Sequence, residues 1–515
     1  MKSESGGYTI MMTRRDGIQQ KISIVTLDAL MPKDHYLRDV DRLVDFSYIY
    51  DLMAPLYSAV GAPSLDPVLV IKMLLLGFME GIDSERKLCE QVRLNIAYRW
   101  FLGLDFDDPT PEHSAFSQLR RRKWKNTCIF EEIFAGIVKQ CIDYGLISGK
   151  LLMTDSTHVR ANADNQRVLR VYVDEDTPSA YLNRLNERAK WEGIYPQRRE
   201  NKADEPVPTP KEEYKAAAGR DEEWMQKTEE AMEAGKDPKD VKREVPKGKK
   251  EVLRSITDPD AGFMKRFGKP LGFYYLSHQT TDALFGLVTD VYVTPGNATD
   301  DSVYAKRILH QIREYGFTPF GVCADTGYDY SEIHHDMLVR GIHTYIPKRK
   351  RIHESEERFS VEDFQYDRKN EICICPNGKE LEFVGGYNPD KGSKRYTSTK
   401  RQCQGCPYRE KCLTGKLGIR RVDRQYDRWA MEEQHARNDG TSMYRYALRR
   451  RKILSEGNFA LQKSGHNLTR MRKRGLGNGF EHCLLSASAL DVRRMVRILT
   501  GRNRTPQKPI AAAVA

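Results

Sequence analysis

The chain contains 515 residues, with 84 Lys and Arg against 72 Asp and Glu, which gives a formal net charge of +12. A hydrophobic fraction of 39% and a mean hydropathy of −0.64 predict a water-soluble protein of about two to four domains and exclude collagen-like and membrane-spanning classes. The most apolar stretch, residues 68–79, includes Lys72 and is shorter than the roughly 20 residues that a bilayer requires. The first residues lack the pattern of a secretory signal, so we expect a cytoplasmic protein.

The first part of the chain, residues 1–145, follows a helical pattern. Asp66 supplies an N-cap for a helix over residues 67–79, and Ser84 starts a second helix that continues to Gly103. Two more helices follow, one after Thr110-Pro111 and one over residues 130–142. The pattern therefore predicts a compact all-α N-terminal domain.

Arg120 and Arg121 begin a run of basic residues on the third of these helices. A short basic helix after a turn resembles the DNA-reading half of a helix-turn-helix motif. A helix face in contact with solvent would show the same charge pattern. Both interpretations stay open, with Arg120 and Arg121 as the candidate DNA contacts.

The next part, residues 146–350, changes to a strand-rich pattern. Residues 151–156 predict one strand, and residues 271–280 and 284–295 predict an antiparallel pair. A helix that begins at Thr299 or Asp300 comes next, and then a strand at 320–325, a helix at 331–340 and a strand at 343–348. This order predicts a mixed five-stranded sheet with helices packed on it.

Two segments interrupt the sheet pattern. Residues 166–255 are crowded with charged residues and Pro, which predicts a charged, partly helical insertion. Residues 351–440 contain a cluster of cysteines and predict a second insertion. Residues 441–515 then return to a helical pattern and would complete the core.

Two aspartates lie at the predicted ends of strands. Asp155 ends the strand at 151–156, and Asp325 ends the strand at 320–325. Either one alone could be a turn former or a helix cap. Two carboxylates on neighbouring strands are stable together when a hard divalent cation such as Mg²⁺ lies between them.

The segment 441–515 carries 16 Lys and Arg against three acids, so it holds the positive excess of the whole chain. Localised positive charge suits DNA, because phosphate neutralisation releases counterions. The acid Glu456 stands alone among the basic residues of 441–480. It is either a third metal ligand or the partner of an ion pair within its helix.

Five cysteines fall between residues 373 and 412. In a cytoplasmic protein such a cluster favours metal over disulfides. Four thiolates suit a tetrahedral structural zinc site. The candidate ligands are Cys375, Cys403, Cys406 and Cys412, with Cys373 as an alternative to Cys375.

These blocks resemble the DDE-type transposases of bacterial insertion sequences, in the group typified by insertion sequences four and five. In this chain, DSTHVRANAD is similar to the family's first-aspartate block, and VCADTGYDY is similar to its second-aspartate block. The segment RRRKILSEGNFALQKSGHNLTRMRKRGL is similar to its glutamate block. The blocks DPVLVIKMLLLGFMEG and DPTPEHSAFSQLRR resemble the helical DNA-binding domain of that group. In the glutamate block, Arg449 and Lys452 replace the usual Tyr and Arg, whereas Glu456 and Lys463 match.

The resemblance implies an RNase H-like core in residues 146–350 and 441–515, behind a DNA-binding domain in residues 1–145. Asp155, Asp325 and Glu456 would hold two Mg²⁺ (or Mn²⁺) ions for cleavage of the element ends and for strand transfer. The expected phosphate contacts are Arg449, Lys452 and Lys463. The expected partners are double-stranded DNA and a second copy of the chain, at the bacterial nucleoid.

Two other functions fit the same residues. An RNase H-like nuclease would use the three carboxylates without strand transfer. A host-adopted, non-catalytic DNA-binding protein would need none of them, so the intact carboxylates favour an enzyme.

Overall fold

The structure is a computed structural model of the protein. It describes residues 24–57, 64–124, 127–174, 210–235, 237, 241, 245, 249–265, 271–298, 303–349, 358–383, 393–413, 417–425 and 427–501. The predicted helix start at Thr299 or Asp300 and much of the charged insertion lie outside the described residues.

The N-terminal region is helical, as the sequence predicted. Its helices are α1 (Leu27–Leu30), α2 (Tyr36–Leu43), α3 (Tyr48–Met53), α4 (Pro67–Met79), α5 (Glu85–Leu94), α6 (Ile96–Leu102), α7 (His113–Leu119) and α8 (Ile129–Asp143). The predicted cap of α4 is confirmed, because Asp66 Oδ1 accepts hydrogen bonds from the backbone N–H groups of Val68 and Leu69 at 2.7 and 3.1 Å. A π-helical turn, Arg120–Trp124, continues α7.

The prediction of a single helix from Ser84 to Gly103 is wrong, because the helix is interrupted at Asn95. Asn95 has extended backbone angles, and its side chain accepts hydrogen bonds from the N–H groups of Ala97 and Tyr98 to start α6. The apolar residues keep their spacing across the break, so periodicity could not detect it. Gly103, in the left-handed conformation, ends α6 as predicted.

A six-stranded mixed sheet forms the centre of the molecule. Its strands are β1 (Leu151–Arg160), β4 (Gly262–Met264), β5 (Gly272–Asp282), β6 (Val288–Pro295), β7 (Gly321–Cys323) and β8 (His343–Tyr345). β1, β5 and β6 pair antiparallel in turn, whereas β7 and β8 run parallel to β1. The sequence predicted five of these strands and missed β4.

The two insertions contain strands of their own. In the charged insertion, β2 (Val168–Asp174) pairs with β3 (Lys249–Ser255), and helix α9 covers Pro210–Glu233. Helices α10 (Tyr304–Tyr315) and α11 (Ser331–Leu338) pack against strands of the six-stranded sheet. The cysteine-bearing insertion is an antiparallel sheet of β9 (Gln365–Asp367), β10 (Ile372–Ile374), β11 (Glu380–Phe383), β12 (Ser393–Thr397) and β13 (Arg421–Gln425), with short helices α12 (Lys400–Cys403) and α13 (Arg409–Cys412).

Three helices end the described chain: α14 (Arg428–Asn438), α15 (Ser442–Gly465) and α16 (Leu476–Leu499). Most of α16 is buried, and it packs against α4, α8 and β6. One hydrophobic core therefore runs from the N-terminal helices through α16 to the sheet. Among the described residues, no helix combines the length and apolar character needed to cross a membrane.

Asp491 on α16 is buried against β6. Its Oδ1 atom accepts a hydrogen bond from the backbone N–H of Val288 at 2.9 Å. Burial raises the pKa of Asp491 from 3.8 to about 8. The folded protein therefore holds a proton that the unfolded chain releases above about pH 4, so this contribution to stability declines as the pH rises through 8.

The variant Asp491→Asn should remove this decline, because the amide keeps the acceptor oxygen and carries no titrating proton. We expect wild type to lose more thermal stability than the variant between about pH 5 and pH 9. Melting temperatures across that range measure the difference. Equal losses in the two proteins would show that Asp491 is ionised in the fold.

Candidate active site

Asp155 lies on β1, and Asp325 follows the neighbouring parallel strand β7. The register of β1 and β7 runs from Leu151 opposite Gly321 to Met153 opposite Cys323. Asp155 and Asp325 are each two residues beyond this last pair. Asp325 follows β7, as predicted, and its Oδ1 atom also caps a turn by accepting a hydrogen bond from Gly327 N at 2.8 Å.

The expectation that Asp155 ends its strand is wrong. β1 continues to Arg160, because it stays paired with β5 after β7 has ended, and Asp155 stands opposite Gln279. The hydroxyl residues Ser156 and Thr157 that follow Asp155 are compatible with a strand, although the predicted strand ended at residue 156. Asp155 is therefore held within a strand that pairs with β5 at this position.

Helix α15 crosses the sheet face that carries Asp155. Leu151 and Met153, on alternate positions of β1, pack against Ala447 and Leu454 of α15. The next two side chains on that face reach the same helix: Arg451 Nη1 lies 2.7 Å from Asp155 Oδ2, and Lys463 Nζ lies 2.6 Å from Thr157 Oγ1.

Glu456 lies between these two contact positions on α15, and its side chain is exposed. Arg449 and Lys452 are exposed on the same helix. Within the described part of the chain, no ion pair holds Glu456, so the alternative of an ion pair within its helix is not observed. The glutamate is available to a ligand.

The charges around the candidate site act on Cys323 at the end of β7. Burial raises the pKa of the Cys323 thiol to about 12; Arg451 opposes the shift, and Asp155 and Asp325 add to it. Both aspartates and the arginine therefore lie within electrostatic range of one buried atom.

A tighter cluster, which the sequence analysis missed, lies next to Asp325. Among the described residues, Asp329, His334 and His435 are the only three metal-ligating side chains whose atoms lie within 4.8 Å of one another. His334 Nε2 and His435 Nε2 lie 3.0 and 2.8 Å from Asp329 Oδ1. The three candidate carboxylates are not grouped this closely.

The contacts of this cluster are satisfied without a metal. A carboxylate can only accept, so both Nε2 atoms donate to Asp329. Burial lowers the pKa of His334, and its other nitrogen then accepts from Thr344 Oγ1 at 2.6 Å. Burial alone would raise the pKa of Asp329, but hydrogen bonds from both histidines and from Arg349 N hold it well below its ordinary value. The cluster fixes the loop after Asp325 to α11 and α14.

The structure brings together four of the five clustered cysteines. Cys375, Cys403, Cys406 and Cys412 line one small cavity of about 30 Å³. Cys373 lies instead within β10 and is buried in the apolar core of the insertion. The geometry thus separates Cys375 from Cys373, which the sequence could not do.

Two turns position the cysteines at this cavity. Lys379 N donates to Cys375 Sγ at 3.3 Å after a left-handed Gly378, and Gly405 makes a similar turn between Cys403 and Cys406. Ser398 Oγ lies 3.1 Å from Cys403 Sγ. Burial raises the pKa of Cys412.

Arg120 is not placed to contact DNA, which corrects the expectation from its basic neighbours. Its Nε donates to both carboxylate oxygens of Glu481 at 2.8 and 2.9 Å, and its Nη2 lies 2.8 Å from Glu85. Lys473 joins the same two carboxylates at 3.1 Å. The buried guanidinium therefore ties the N-terminal helices to α16, whereas Arg121 is exposed.

Part of the basic C-terminal segment is also used inside the molecule. Arg472 donates to the carbonyl of Ile82, Arg493 to that of Met79, and Arg494 to that of Gly286. The carbonyl groups of Met79 and Ile82 lie at the C-terminal end of α4, and that of Gly286 lies in the turn between β5 and β6. The charge excess of 441–515 is therefore not a single DNA-binding surface.

Two family models match the chain, and both describe transposases. The family Transposase domain (DUF772) matches residues 25–122, which span α1 to α7. The family Transposase DDE domain matches residues 374–496, which include α15 with Glu456. Comparison with curated proteins found no match, and comparison with solved structures found none.

Both matches name the same class of protein, a DNA-mobilising transposase. These two segments, which together cover less than half of the chain, are similar to transposase families, in agreement with the resemblance of its motifs to the DDE-type insertion-sequence transposases. The matches do not assign it to the group of insertion sequences four and five.

Proposed function

We propose that this protein binds the ends of an insertion sequence, cleaves them and joins the freed 3′-OH to target DNA. The observation that carries the proposal is that Asp155 and Asp325 each follow the last pair of two neighbouring parallel strands by two residues, and that Asp155 contacts the helix that carries Glu456. The strand order β6-β5-β1-β7-β8, with three antiparallel strands followed by two parallel ones, supports an RNase H-like core. The transposase domain matches support the DNA reaction.

The donor set of the site fits hard divalent cations. Carboxylate oxygens are the ligands that Mg²⁺ and Mn²⁺ prefer, and the two aspartates that follow the last pair of β1 and β7 would supply them. When bound, such cations would activate the attacking oxygen and stabilise the leaving oxygen of an in-line displacement at phosphorus. Glu456 would complete the set from α15.

The protein's own residues would position the DNA for this reaction. Arg449, Lys452 and Lys463 are exposed on the glutamate helix, so they would hold the phosphates that flank the scissile bond. Lys463 is oriented by its hydrogen bond to Thr157. Arg121 remains the candidate contact in the N-terminal region. Because two ends must be brought together, we expect a homodimer on DNA.

Charge reversal in Lys463→Glu should weaken binding to element ends and to unrelated DNA alike, because backbone contacts carry no sequence information. Each lost phosphate contact should flatten the slope of log affinity against log salt by roughly 0.9. Binding isotherms at several salt concentrations measure the slope. Lys306→Glu, exposed on α10, is the matched control. An unchanged slope in Lys463→Glu would remove this lysine from the DNA surface.

We further propose a structural zinc site at the four-cysteine cavity. The support is that Cys375, Cys403, Cys406 and Cys412 line a common space. A site with four thiolates leaves no position for water, so its role would be to stabilise the insertion.

One zinc per chain is therefore expected, and Cys406→Ser should lose it and unfold the insertion before the rest of the protein. Elemental analysis and limited proteolysis measure the two effects. Cys128→Ser, in the N-terminal region, should keep the zinc. Purified wild type that holds no zinc and has four reactive thiols at these positions would contradict the site.

A joining assay distinguishes the proposed function from its alternatives. Labelled duplexes that carry the element ends are incubated with a plasmid target and Mg²⁺. A transposase transfers the label to the plasmid, a nuclease only shortens the duplex, and a DNA-binding protein only shifts its mobility.

A further inference from the structure

Arg451 forms an ion pair with Asp155. The guanidinium Nη1 lies 2.7 Å from Oδ2, and both side chains are 15% exposed. The Nε atom of Arg451 is buried and makes no hydrogen bond to any residue that the structure describes. The Nη1 group of Arg451 therefore binds the carboxylate, whereas its Nε–H group makes no hydrogen bond to a described residue.

We propose that Arg451 is an internal counter-cation that occupies Asp155 until a divalent metal replaces it. The inference rests on the proposed function, because it takes Asp155 as a metal ligand. On displacement, Arg451 would turn to a DNA phosphate and become a positioning residue.

Electrostatics supports this exchange. A guanidinium and a divalent cation repel each other, so they cannot both lie against the same carboxylate oxygen at low cost. An arginine with an unsatisfied buried donor is held less firmly than one with all its hydrogen bonds made. Its planar fork suits a phosphate as well as it suits a carboxylate.

The neighbouring arginines do not share this role. Arg450 donates to the backbone carbonyls of Ala283 and Leu284, so it is committed to the β5–β6 turn. Arg449 and Arg445 are exposed. Removal of Arg451 should therefore change Asp155 specifically, whereas removal of Arg445 takes the same charge from the same helix without touching the site.

The test is Mn²⁺ binding to DNA-free protein, measured from the electron paramagnetic resonance signal of the free ion. We expect Arg451→Gln to bind Mn²⁺ at least about tenfold more tightly than wild type, because an adjacent opposite charge shifts carboxylate equilibria by one or more log units. Arg445→Gln should match wild type, and Asp155→Asn should lose the binding.

An Arg451→Gln affinity equal to or below that of wild type, with binding still lost in Asp155→Asn, would overturn this inference alone. Mn²⁺ binding that survives Asp155→Asn would instead contradict the proposed metal role of Asp155. If Arg451→Gln does not fold, Arg451→Lys takes its place, because its shorter side chain weakens the pair. Tighter binding than wild type would then support the exchange, and equal binding would overturn it.

Discussion

The variants Asp155→Asn, Asp325→Asn and Glu456→Gln are each expected to reduce end cleavage and strand transfer by at least about a hundredfold, because each removes charge that acts in the transition state. Binding to the element ends should stay close to that of wild type, since the three carboxylates do not dock the DNA. Asparagine and glutamine keep the side-chain shape, so Arg451 retains an acceptor at position 155. Cleavage rates and binding isotherms for the same duplex measure the two effects.

Glu433→Gln is the matched control for this series. Glu433 pairs with Arg437 on the surface of α14, outside the candidate site. Its variant should cleave and join at the rate of wild type. A carboxylate variant that retains substantial cleavage would remove that residue from the proposed set.

Arg120→Ala should destabilise the protein by about 3–5 kcal/mol, because it removes the guanidinium that pairs with both Glu85 and Glu481 and leaves them with the ion pairs of Lys473. The buried pairs join the N-terminal helices to α16. The loss of stability should therefore affect the unfolding of the whole hydrophobic core that the N-terminal helices share with α16 and the sheet. Denaturant unfolding of wild type and variant measures the change in the free energy of unfolding.

Arg121→Ala is the control for this prediction, since Arg121 is exposed one residue further along the chain. Its effect on stability should stay within about 0.5 kcal/mol. Any DNA contact made by the basic run should be lost in this variant. An Arg120→Ala protein with wild-type stability and weak end binding would return Arg120 to the DNA surface.

Local signals in the sequence were enough to predict much of the fold. Asp66 and Pro67 define the start of α4, because both the cap and the fixed proline angle are local properties. The hairpin of β5 and β6 follows from alternating β-branched and aromatic residues. Asp325 after β7 was predicted from the same kind of pattern.

The features that were missed depend on partners far along the chain. Arg120 binds Glu481, which lies 361 residues further along the chain. The basic residues next to Arg120 therefore predicted an exposed side chain, whereas its guanidinium is buried. His435 meets Asp329 across 106 positions, and Arg451 meets Asp155 across 296. No local pattern encodes such pairs, and only the folded chain brings them together.

The most direct test of the proposed transposase is the joining of a pre-cleaved end. A labelled duplex with the sequence of the element end and a free 3′-OH is incubated with the protein, Mn²⁺ and a supercoiled plasmid. We expect label to become covalently joined to the plasmid, and a matched duplex that ends in a 3′-deoxy sugar to give no joined product. Plasmid that is nicked without gaining label, or that is only bound, would contradict the account.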